Sequence, residues 1–88
     1  MTPPTFDRAE AARDIRAKVL ELARARGIRT AELRDDEVIP ETGLLDSAAI
    51  MELIVWYEDR FGLSIDQDDL TIEHFGTVNA MVDYLSRG

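Results

Sequence analysis

Apolar residues recur at helical spacing in three stretches of the chain, and no stretch shows the two-residue alternation of a strand. In the first, Ala12, Ile15, Val19 and Leu22 form one stripe after Asp7, a good N-cap, and Gly27 stops it, which predicts a helix over 8–26. Its remaining faces carry Arg8, Glu10, Arg13, Asp14, Arg16, Lys18, Arg24 and Arg26, the pattern of a solvated helix surface. The second follows the helix-start pair Asp46 and Ser47 and closes at Gly62, predicting a helix over 47–61 whose inward face is Ile50, Leu53, Ile54, Tyr57 and Phe61. In the third, Thr77 caps Val78, Met81, Val82 and Leu85, spaced i, i+3, i+4, i+7, and the helix ends near Arg87 and Gly88.

The connections differ in kind. Residues 28–45 hold Pro40 and Gly43 and no sustained period, and a loop of that length in a small helical domain is usually functional. Leu33, Val38, Ile39, Leu44 and Leu45 are spaced to pin it onto a core, so it reads as ordered, with room for one helical turn. Ser64-Ile65-Asp66-Gln67 has the form of a capping box, which leaves Asp66 to Phe75 one or two short turns before Gly76 breaks them. The expected fold class is all-α: a bundle of three main helices plus a short one, with the long loop between helices one and two. Residues 1–7 read as a flexible end and 8–87 as a single domain, all that 88 residues can build around one core.

Helix two carries more apolar side chains than its inward face needs. Met51, Val55 and Trp56 lie roughly 105–145° from the centre of that face and are interleaved with Glu52, Glu58 and Asp59. The result is an apolar patch rimmed by acid. Charge sharpens this picture, because the net charge of −8 is unevenly distributed. Residues 1–29 hold seven basic and four acidic groups, and residues 30–88 three basic and fourteen acidic. Such acidity makes nucleic acid and anionic membranes poor partners and favours a monomer. It suits either a solubilising surface or a docking face for basic proteins. There is no apolar run long enough to span a bilayer and no leader pattern, so the expected location is the cytoplasm.

The usual catalytic kits are missing. The chain has one histidine, His74, no cysteine and no phosphate-cradling glycine pattern, so a catalytic role for the domain itself finds no support. His74 reads as a turn residue rather than a ligand. Asp66-Gln67-Asp68-Asp69 resembles the start of a calcium loop but places Leu70, Thr71 and Thr77 where an oxygen ligand, a glycine and a glutamate are required, so no metal site is expected. What remains is Gly43-Leu44-Leu45-Asp46-Ser47. Here a hydroxyl sits at the first turn of a helix, where unpaired N–H groups and the helix dipole favour a phosphate attached to it. Alone, Asp-Ser before a helix is also a common cap.

Together with Met51-Glu52-Leu53, Tyr57-Glu58-Asp59-Arg60-Phe61-Gly62 and Phe75-Gly76-Thr77-Val78, that segment resembles the central part of acyl carrier proteins, and the order of elements matches their four-helix bundle over about residues 8–87. The resemblance implies that Ser47 bears a 4′-phosphopantetheine arm, installed from coenzyme A by a separate magnesium-dependent phosphopantetheinyl transferase. It also implies that the missing thiol belongs to this cofactor, which holds cargo as a thioester. Asp46 would cap the helix and help the transferase hold metal and coenzyme. Met51, Glu52, Val55, Trp56, Glu58 and Asp59 would meet basic docking surfaces on a loading ligase or acyltransferase and on downstream biosynthetic enzymes. The expected function is that of a free-standing acyl or aminoacyl carrier in fatty-acid, polyketide, non-ribosomal peptide or other specialised biosynthesis, with no catalysis of its own. The alternative is a small acidic adaptor without a prosthetic group. Three residues depart from the family pattern. Ala48 stands where Leu or Met usually follows the serine, Trp56 replaces a small residue, and Tyr57 takes a core position usually held by Leu, so its hydroxyl needs a partner.

Overall fold

The computed structural model describes residues 7–29 and 32–86. Within them lie α1 (Arg8–Ala25), α2 (Ile39–Thr42), α3 (Ser47–Phe61), a 3-10 turn (Gln67–Asp69), α4 (Ile72–Phe75) and α5 (Val78–Ser86). No strand occurs among the described residues. Apart from Asp7, the segment expected to be a flexible N-terminus falls outside the described residues, as do the last two positions of the expected third helix.

Four of the five α-helices among the described residues start by one chemical rule, and α2, whose N-cap is Val38, has no side-chain cap. Asp7, Asp46, Thr71 and Thr77 each accept, through a side-chain oxygen, the otherwise orphaned N–H three residues on, from Glu10, Ala49, His74 and Ala80 respectively. α3 ends at Gly62, whose φ of +68° only glycine adopts without strain, and its N–H returns to the Glu58 carbonyl.

α1 packs against both α3 and α5, and α4 runs against α5. The largest side chains withdrawn from water come from every layer: Ile15 and Val19 of α1, Ile39 of α2, Leu53 and Tyr57 of α3, and Val78 and Met81 of α5. The long loop belongs to this core. Leu33, Ile39, Leu44 and Leu45 are buried, α2 is its one helical turn, and its backbone is tied to the far side of the bundle by Ile39 N–H to Gly76 O (2.7 Å) and Asn79 N–H to Asp35 O (3.0 Å).

Two expectations about local structure are corrected. The capping box at Ser64–Gln67 does not form. Ile65 packs partly into the core and its N–H donates to Glu58 Oε2 (2.8 Å), which holds Asp66 extended until the 3-10 turn begins at Gln67. The inward face of α3 is also rotated, with Ala49 buried alongside Leu53, Ile54 and Tyr57, while Ile50 and Phe61 are only partly covered. Leu44 and Leu45 anchor the chain immediately ahead of α3 and so set its rotation. Tyr57 is fully buried, and its hydroxyl donates to the Met81 carbonyl at 2.8 Å. Burial, with a smaller contribution from Tyr84, pushes the ionisation of this phenol to well above the ordinary value of 10.0.

Candidate functional site

Ser47 is the first residue of α3 and is exposed. Three features set its geometry. Leu44 and Leu45 bury themselves just before it. Asp46, in extended conformation, accepts from Ala49 N–H at 2.8 Å, and the first helical bond is Ile50 N–H to Asp46 O at 2.9 Å. The N–H groups of Ser47 and Ala48 therefore precede any intrahelical acceptor, at exposed positions. A phosphate on Ser47 would sit against these donors and the positive end of a 15-residue helix.

Two further side chains shape this end of the bundle. Thr42 Oγ1 accepts from Leu44 N–H (3.2 Å) and donates to Ile39 O (2.6 Å), closing α2 onto the approach to Ser47. From the end of α1, Arg26 donates to Leu44 O (2.6 Å) and Gly43 O (3.3 Å), and its Nε lies 3.7 Å from Asp46 Oδ2. The sequence pattern assigned Arg26 to solvated helix surface. It instead crosses to the loop because α1 terminates beside it, and nothing local in sequence marks that crossing.

Beyond Ser47, Met51 and Val55 follow at successive four-residue steps along the same side of α3, 51% and 54% exposed. Glu52 and Asp59 flank them, also exposed. Two other residues of the expected patch are placed differently. Trp56 is partly buried against the core, with its ring edge-on to Phe61 at 5.9 Å, so it contributes less open surface than its helical angle implied. Glu58 is partly covered and its carboxylate is engaged by Ile65 N–H.

The exposed apolar surface extends the other way, to Leu70 and to Ile72 of α4, the latter 63% exposed. Between α3 and α4 lies a hollow of about 290 Å³ lined by Pro40, Ile50, Met51, Ile54, Leu70 and Ile72 among others, with Thr71 the polar side chain at its edge. The sequence reading missed Leu70 and Ile72, because short turns carry no period. The one available signal was a pair of large aliphatics around Thr71 in a segment otherwise acidic.

His74 is partly covered and stacks edge-on with Tyr84 (5.7 Å) beside Phe75, and the Tyr84 hydroxyl donates to Asp69 (2.9 Å). His74, Phe75 and Tyr84 cluster where α4 meets α5, Asp69 is joined to them through Tyr84, and among the described residues none of these groups contacts Ser47.

A family model described as a phosphopantetheine attachment site matches residues 13–85. The chain belongs to this family of carrier proteins. It is similar to an acyl carrier protein of Desulforapulum autotrophicum, 39% identical over 57 residues covering 59% of this chain and 71% of the relative. It is also similar to a D-alanyl carrier protein of Streptococcus sanguinis, 30% identical over 70 residues covering 80% of this chain and 89% of the relative. The prosthetic group of the carrier is a covalently attached 4′-phosphopantetheine, and carriers of this family work with a phosphopantetheinyl transferase and biosynthetic enzymes. The residues present fit such a group: an exposed hydroxyl stands at a helix start beside two uncommitted N–H donors, with an apolar hollow one turn away. No helix among the described residues is long and apolar enough to cross a membrane.

Proposed function

We propose that Ser47 is the attachment point of the phosphopantetheine and that the protein carries acyl or aminoacyl intermediates between enzymes of a specialised biosynthetic pathway, without catalysis of its own. The observation that carries this reading is the placement of the Ser47 hydroxyl, exposed and on the first residue of α3. In the modification, Ser47 Oγ forms a bond to the pantetheine-bearing phosphorus of coenzyme A as the pyrophosphate P–O bond breaks. Adenosine bisphosphate departs, and the hydroxyl proton passes to the transferase or to water. The helix dipole and the Ser47 and Ala48 N–H groups favour the charged phosphodiester that results. The attached group supplies the thiol that this cysteine-free chain lacks, and cargo is held on it as a thioester.

In this reading Met51 and Val55 form the apolar centre of a transient interface and Glu52 and Asp59 its charged rim, with Trp56 and Glu58 at its edge. The rim would steer basic surfaces of a loading ligase or acyltransferase and of downstream enzymes. The expected state is a monomer in the cytoplasm, given the strong net charge. Incubation of the apo protein with coenzyme A and a broad-specificity transferase, followed by intact mass measurement, tests the proposal. One phosphopantetheine should add to the wild type and none to Ser47→Ala. An adduct on Ser47→Ala would reject the site.

A further inference from the structure

In the proposed modification the end of the long loop delivers the Ser47 hydroxyl, and a side chain from a different element is tied to that segment. Arg26 caps the C-terminus of α1, 21 positions before Ser47 in the chain. Its planar guanidinium reaches three groups in the segment leading into α3. Nη1 donates to the carbonyls of Gly43 and Leu44 (3.3 and 2.6 Å), and Nε stands 3.7 Å from one oxygen of Asp46. The other Asp46 oxygen caps Ala49 N–H. A continuous path thus runs from the end of α1, through Arg26 and Asp46, into the first turn of α3.

We infer that Arg26 is a positioning residue for Ser47 modification, fixing the Gly43–Asp46 segment in the geometry that presents the hydroxyl. The inference rests on the reading of Ser47 as the attachment point. Relative magnitudes say which contact matters. The Asp46 carboxylate is more than half exposed, and an ion pair at 3.7 Å there is well screened. The charge-assisted bond at 2.6 Å to Leu44, a buried residue, is the stronger tie. The role is therefore to hold backbone: Nη1 donates to both carbonyls, and the rigid plane of the guanidinium keeps Nε on the Asp46 side at the same time. A lysine ammonium has the charge without that fork. Gly43 adds to the need, because its left-handed φ of +75° marks the point where the chain turns out of α2 toward Ser47.

Without Arg26 the segment should sample other arrangements, and apparent affinity for any enzyme that requires the delivering one falls in proportion to its population. The experiment is steady-state kinetics of phosphopantetheinyl transfer from coenzyme A, with the carrier as the varied substrate. The expected result for Arg26→Ala is a KM for the carrier raised about tenfold, with kcat and the KM for coenzyme A within about twofold of wild type. Arg26→Lys should fall between the two. Arg8→Ala, which removes a surface tie to Asp83 at the other end of α1, should match wild type. If Arg26→Ala loses its far-ultraviolet helix signal, Arg26→Gln and Arg26→Lys are read in its place. A carrier KM within twofold of wild type in the folded Arg26 variants would overturn the inference, as would an equal rise in Arg8→Ala. Full recovery by Arg26→Lys would overturn the claim for the fork. A wild type that accepts no phosphopantetheine at all would refute the Ser47 reading itself, a separately recognisable outcome.

Discussion

The two long helices use their polar side chains in opposite ways. α1 and its C-cap commit several charges to ties across the surface to other elements: Arg8 to Asp83 and Ser86 of α5, Arg16 to Asp35 of the loop, Asp14 to Arg60 of α3, and Arg26 to the approach to Ser47. α3 keeps its inner row for the core and leaves Met51, Glu52, Val55 and Asp59 exposed, with Glu52 and Asp59 tied to no other described residue. A face without internal commitments can be offered to a partner at no cost in stability, whereas a tied face cannot. Under the proposed function, the difference separates scaffold from presenting surface within one small bundle. It also locates the effective acidity of the chain, because the basic groups of residues 1–29 are partly consumed by acids elsewhere.

The comparison breaks most sharply on α3 itself. Tyr57→Ala empties a fully buried aromatic position and should cost about 3–5 kcal/mol, while Val55→Ser, two residues earlier and 54% exposed, should change stability by less than about 0.5 kcal/mol. Urea unfolding checks both, and a loss of more than about 1 kcal/mol in Val55→Ser would contradict its assignment to the presenting surface.

Gly76→Ala tests the seam on which the loop rests. A Cβ there would collide with the Ile72 carbonyl oxygen, so the end of α4 must shift and disturb the bond from Ile39 N–H. The thermal midpoint should fall clearly, by an amount corresponding to about 2 kcal/mol. An unchanged midpoint would mean that this seam does not hold the loop.

Removing only the Tyr57 hydroxyl sharpens the inner half of the comparison. Tyr57→Phe should cost about 1–2 kcal/mol by leaving the Met81 carbonyl without its donor. It should also alter the pH dependence. The folded chain retains the phenolic proton above the ordinary value of 10.0, so the stabilisation is complete below that pH and is lost as pH rises beyond it. Urea midpoints measured from about pH 9 to about pH 11 should decline more steeply in the wild type than in Tyr57→Phe. Equal slopes would remove the buried phenol as the cause.

The smallest effect is expected at the outer ties. Arg8→Ala breaks an exposed pair and should cost no more than about 0.5 kcal/mol. A larger loss would show that α1 depends on its surface charges more than on Ile15 and Val19.

Much of this arrangement is legible in the order of residues. Strong helical periods and cap chemistry locate α1, α3 and α5, because burial of a stripe and satisfaction of the first N–H groups are local demands. Gly43-Leu44-Leu45-Asp46-Ser47 is legible for the same reason, since two anchors, a cap and a hydroxyl act within one turn. The details that escape are those decided by distant contacts. Ile65 pulled the chain past a well-formed capping sequence, and burial of Leu44 and Leu45 rotated α3 so that Ala49 rather than Ile50 faces inward. Phe61 and the core drew in part of Trp56. Arg26 and Ile72 were invisible as parts of the site, because their places depend on which turns end beside the approach to α3.

The central claim is that one hydroxyl, at the head of α3, holds the prosthetic group. Fragmentation mass spectrometry of peptides from the fully modified protein tests it most directly. The account predicts that phosphopantetheine resides on Ser47 alone; its presence on Ser64, Thr42 or any other hydroxyl, with Ser47 unmodified, would contradict it.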